Sequence, residues 1–104
     1  MSTAAIGTGS AADQLNQVVM TLKRCEDLRA VEYRWPKLVR TLESVVRRVS
    51  LIRSRGGSSP AVAGPLAWMG QVVKDHPALQ VPGAGPVAEE LLAFVDRIRR
   101  VAGS

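Results

Sequence analysis

The chain has one cysteine, Cys25, and one histidine, His76, the side chains that most often carry nucleophilic and general-base chemistry near neutral pH. Cys25 falls on the flank of an apolar stripe, which predicts a buried structural thiol; Arg24 and Arg29 beside it are a weak argument for an ionised one. His76 lies between Asp75 and Pro77 at the end of a helical pattern, a place for a capping or solvent-facing ring. No second cysteine is present for redox exchange, and a lone Cys and a lone His far apart do not make a zinc site. Glu89 and Glu90 resemble a paired acid, but adjacent helical positions point about 100° apart. Gly83-Ala84-Gly85 lacks the preceding strand of a dinucleotide loop and reads as a turn. These residues predict no catalytic group, no metal, no cofactor and no small-molecule ligand, so the chain is not expected to be an enzyme.

The cations carry more information. Lys and Arg number 14 against 9 Asp and Glu, a formal charge of +5. Residues 34–55 hold Arg34, Lys37, Arg40, Arg47, Arg48, Arg53 and Arg55 against Glu43 alone, a net +6, so the rest of the chain nets −1. On a helical wheel Lys37, Arg40, Arg47, Arg48 and Arg55 fall within roughly a third of the circumference, opposite Leu38, Leu42, Val45 and Val49. Most of the basic groups are arginine, which forms bidentate pairs with carboxylate and phosphate. Arg47-Arg48-Val49-Ser50 also matches the pattern basophilic kinases accept, although a mid-helix serine has its backbone already paired.

The elements that would position this face follow from apolar spacing. Ser10 with Asp13 has capping-box spacing, and Leu15, Val18, Val19, Leu22 and Cys25 form a first stripe. After Cys25 the phase slips. Trp35-Pro36 predicts a boundary, because proline disfavours helical geometry in the residue before it. Pro36 then suits the first turn of a helix whose stripe is Leu38, Val39, Leu42, Val45, Val46, Val49 and Ile52, ended by Arg55-Gly56-Gly57-Ser58-Ser59.

A third helix is expected from about Gly64-Pro65, after a single turn at Ser59-Pro60. Leu66, Met69 and Val73 form its apolar face; Ala63, Ala67 and Gly70 form a small-residue face suited to a close neighbouring backbone. His76-Pro77 closes it. A last helix starts near Gly85-Pro86, with Glu89 and Glu90 toward its positive end, Arg97, Arg99 and Arg100 toward its negative end and Gly103 as a stop. The fold class is therefore all-α: a small bundle or orthogonal array of about four helices, with 1–9 a flexible N-terminal tail and 10–104 one helical domain.

Composition agrees. At 104 residues the chain has room for a single core, and its 46% hydrophobic content disfavours disorder. One cysteine excludes an internal disulfide. No basic, apolar leader opens the chain and no apolar run spans a bilayer, which predicts an intracellular protein. The order of short helices, with Leu38-Val39-Arg40-Thr41-Leu42 followed by Ala67-Trp68, is loosely similar over about half the chain to small helical docking domains of transcription elongation and chromatin factors. That likeness has no specific motif, so no residue role is carried over from it.

The sequence thus predicts a non-catalytic interaction module. Arg34, Lys37, Arg40, Arg47, Arg48 and Arg55 would contact an acidic protein surface or take part in self-association. The alternative is nucleic-acid binding through the same face, where five phosphate contacts would give a log K against log salt slope of about −4 to −5. Read over 34–55, that face has no aromatic group for stacking and few Asn or Gln for base edges, which favours affinity over sequence choice. A membrane surface ranks below both, because the apolar side of the helix is needed for the core.

Overall fold

The computed structural model describes residues 10–103; the expected tail, 1–9, lies outside them. Among the described residues there are four α-helices and no strand: α1 (Ala11–Arg24), α2 (Leu28–Ser54), α3 (Ala63–Asp75) and α4 (Gly85–Val101). Single 3₁₀ turns at Pro60–Val62 and Pro77–Leu79 lead into and out of α3.

The first helix starts as its spacing predicts. Ser10 Oγ accepts from the Asp13 N–H at 3.2 Å and the Asp13 carboxylate accepts from the Ser10 N–H at 3.2 Å, so two orphan donors are satisfied together. The phase slip after Cys25 marks the tight turn into α2, where the Asp27 carboxylate accepts from the Ala30 N–H at 2.9 Å.

The expected boundary at Trp35-Pro36 does not occur. α2 runs unbroken through Pro36 for 27 residues, about 40 Å at 1.5 Å per residue, which matches the longest dimension of the molecule, 42 Å. Leu28, Val31, Trp35, Leu38, Leu42, Val45 and Val49 follow one another in unbroken steps of three and four straight across the proline. Val31 and Leu38 are buried, with Leu28 and Trp35 half-buried and packed on the core. Burial of a large aliphatic side chain is worth about 1.5–3 kcal/mol, so anchors on both sides outweigh the ~3 kcal/mol cost of an interior proline. Pro36 itself is exposed, which leaves the Glu32 carbonyl it cannot serve within reach of water.

A glycine ends α2. Gly56 takes φ +84°, and the N–H groups of Gly56 and Gly57 donate to the carbonyls of Arg53 and Ile52, both at 2.9 Å. That is a Schellman turn. Ile52, expected in the apolar stripe, is 40% exposed because the stripe rotates off the core in this last turn.

α1 packs on α2 and α3, and α4 packs on α3 and α2, so the helices form a ring around one core. Leu15, Leu22, Leu42, Leu66, Met69, Leu91 and Ile98 are its largest fully buried members, and among the described residues no charged or polar residue is buried with them. Polar contacts fix the ends. His76 Nε2 lies 2.8 Å from the Cys25 carbonyl, joining the C-terminal ends of α1 and α3, and Lys23 Nζ sits 5.4 Å above the Trp68 ring beside them. At the far end of α2, Arg53 Nη1 donates to the Arg100 and Val101 carbonyls at 2.8 and 3.3 Å, placing a cation on the negative end of α4.

Two expectations in α3 and α4 are corrected. Ala63 and Ala67 face solvent, and a Cβ added at Gly64 or Gly70 would meet nothing within 4 Å, so the small residues serve no close backbone approach. Glu89 and Glu90 are exposed and lie beyond the first turn of α4.

Candidate functional site

Cys25 and His76 come together, but not as a nucleophile and base. The His76 ring meets the Cys25 carbonyl, while the Cys25 thiol donates to the Thr21 carbonyl at 3.2 Å. Burial pushes the Cys25 thiol above the ordinary thiol range, with Arg34 pulling it down and Asp27 adding to the rise. His76 is the C-cap of α3, one of the two places expected for it, its own N–H closing the helix on the Val72 carbonyl at 2.8 Å; the ring is half-buried and also holds the two helix ends together. No group of three His, Cys, Asp or Glu suited to a metal ion exists among the described residues.

The basic face is built by α2. Val31, Leu38, Leu42, Val45 and Val49 hold one side of the helix against the core and thereby aim the opposite side outward. Arg34, Lys37, Arg40, Arg47 and Arg55 are exposed. The side chains of Lys37, Arg40, Arg47 and Arg55 form no hydrogen bond or ion pair with any described residue. Arg34 donates to the Ala30 carbonyl at 3.4 Å, and its guanidinium sits 5.9 Å from the Tyr33 ring centre. Arg34 and Lys37 also border a shallow groove against Gln17 and Thr21 of α1. Arg48 departs from the group: it is half-buried and already engaged. Arg53 points away, to α4.

Continuity through Pro36 enlarges this face beyond residues 34–55. Arg29 joins it from the first turn, and Tyr33 stands four residues before Lys37 and seven before Arg40, on the same side. Tyr33 is 83% exposed. The expected lack of an aromatic group on the basic face is thus corrected, and the signal was the spacing of Tyr33 itself. Leu51, 51% exposed, closes the same side near the C-terminus.

No family model, curated protein or solved structure matches the chain. No helix among the described residues is long and apolar enough to cross a membrane.

Proposed function

We propose that the chain is a non-catalytic helical docking module that binds an acidic protein surface through the basic face of α2. The observation that carries this reading is the set of exposed cations without partners, Lys37, Arg40, Arg47 and Arg55, along one continuous helix. Cations three or four positions apart on a helix repel by a few tenths of a kcal/mol. An ordinary solvated face relieves this with interspersed carboxylates, and here Glu43 stands alone within 34–55. An acidic partner supplies the missing charge. A second copy of the same face does not, since it would set arginine against arginine.

Tyr33 favours one second reading, single-stranded nucleic acid, because an exposed ring among arginines can stack on a base. The face offers few amide side chains to read base edges, so such binding would select strandedness more than sequence.

The test is a titration of the full chain with fluorescent polyglutamate and with single-stranded and duplex DNA of matched charge. Salt rises from about 0.01 to 0.15 M, over which the screening length falls from roughly 30 to 8 Å. Saturable polyglutamate binding that weakens with salt is expected. Absence of binding at the lowest salt refutes the reading, and single-stranded DNA bound more than about tenfold tighter than polyglutamate transfers the face to nucleic acid.

A further inference from the structure

The arginine-to-serine pattern that basophilic kinases accept falls at Ser50 in the sequence, and the fold withdraws that serine. Ser50 is half-buried inside α2, and Arg48, two positions before it, is half-buried and already engaged. A kinase takes its acceptor serine on an extended segment, pairs the arginines before it with carboxylates, and removes the hydroxyl proton with an aspartate. An acceptor therefore needs an open hydroxyl, a backbone outside a helix, and an exposed arginine a few residues earlier.

Three more serines follow at the end of α2, and one of them meets all of these needs. Ser54 is the last residue of the helix, and its hydroxyl donates to the Leu51 carbonyl at 2.8 Å. Ser59 Oγ is shielded from solvent. Ser58 is exposed, lies in the irregular stretch between α2 and the Pro60–Val62 turn, and its hydroxyl forms no hydrogen bond with any described residue. Arg55 stands three positions before it and is itself exposed. Arg55-Gly56-Gly57-Ser58 thus repeats the interval from Arg47 to Ser50 on a segment that can be presented.

We infer that Ser58 is a phosphorylation site for an arginine-directed serine kinase, with Arg55 as the side chain that the kinase reads. Drawing residues 55–59 into a kinase cleft breaks the bonds from the Gly56 and Gly57 N–H groups to the Arg53 and Ile52 carbonyls. Every residue from 51 to 58 is exposed, so this local opening gives up no core packing. In the transfer, Ser58 Oγ attacks the γ-phosphorus of ATP. The Oγ–P bond forms, the bond from that phosphorus to the β–γ bridging oxygen breaks, ADP leaves, and the hydroxyl proton passes to the kinase's aspartate.

The product changes the charge of this end of the molecule. Residues 47–58 hold Arg47, Arg48, Arg53 and Arg55 with no Asp or Glu, a net +4. A phosphoserine carrying about −1.5 to −2 at neutral pH removes nearly half of it. Arg55 is three residues away, and Arg99 of α4 borders the same groove as Ser58, so both are placed to pair with phosphate oxygens. Resting on the docking reading above, the modification withdraws Arg55 from an acidic partner and lowers the attraction of Arg47 beside it. The acceptor assignment itself does not depend on that reading.

The test treats the full chain with ATP and the catalytic subunit of cyclic-AMP-dependent protein kinase, and locates the phosphate by tandem mass spectrometry. A synthetic peptide of residues 43–62, which lacks the rest of the fold, is treated in parallel. The full chain is expected to be modified at Ser58, and the peptide at Ser50 as well. Arg55→Ala, checked for folding by circular dichroism, is expected to slow modification of the full chain at least about tenfold. Modification of the full chain at Ser50 in preference to Ser58, a full chain left unmodified while the peptide reacts, or an undiminished rate in Arg55→Ala overturns the assignment. The Ser58-phosphorylated chain is then expected to bind polyglutamate about fivefold more weakly than the unmodified chain at 0.01 M salt. Equal affinity overturns the control of docking. An unmodified chain that binds no polyglutamate refutes docking and leaves the Ser58 assignment to the mass spectrum.

Discussion

Cys25 and His76 show how the same residue types serve structure or chemistry depending on which atoms meet. The His76 ring faces a carbonyl, so it ties α1 to α3 and leaves the thiol to Thr21. The thiol's raised pKa, caused first by burial, makes a prediction with a definite sign. In the folded chain the thiol stays neutral to higher pH than in the unfolded chain. Its stabilising contribution is therefore complete below the ordinary thiol range and is lost as pH rises through and above it, since the unfolded state gives up its proton first. Denaturant unfolding from neutral to alkaline pH should show the wild type losing stability faster than Cys25→Ala. Equal losses would mean that the thiol is as free to ionise in the fold as outside it. The buried placement of Cys25 was legible from its position on the first stripe. The partner of His76 was not, because it lies on an element joined to α1 by the fold and by nothing in local sequence.

At the scale of elements, the apolar spacings located all four helices, and the Ser10–Asp13 box and Gly56 turn gave sharp ends. The local rule for a residue before proline gave the wrong answer at Trp35-Pro36. It describes a backbone preference, whereas the unbroken three- and four-residue steps from Leu28 to Val49 describe what tertiary burial rewards, and burial won. Splitting α2 at that point also hid Tyr33 and Arg29 from the basic face. Pro36→Ala, at an exposed site, restores an N–H to the Glu32 carbonyl and is expected to stabilise the chain by about 1–3 kcal/mol in denaturant unfolding. A loss of stability would mean that the proline holds a bend that packing between Trp35 and the core requires. The α3 small-residue face failed for a related reason: small side chains permit a close approach but do not create a neighbour, and the ring of helices sets none there.

For the whole molecule, the charge of +5 divides into cations that the fold engages and cations that it leaves exposed. Arg53 caps α4 and Arg48 is engaged, while Lys37, Arg40, Arg47 and Arg55 are exposed and form no hydrogen bond or ion pair with a described residue. The sequence alone made most of this face legible, because a wheel separates apolar from basic sides without knowledge of the fold. Which arginines the fold itself consumes depended on contacts between distant segments. The most direct measurement is the affinity of Arg40→Glu combined with Arg47→Glu for polyglutamate, with circular dichroism to verify the fold. Both sites are exposed and unpaired, so unchanged folding and a roughly 100-fold loss of low-salt affinity are predicted. A correctly folded double variant that binds polyglutamate as tightly as wild type would contradict the assignment of α2 as the docking surface.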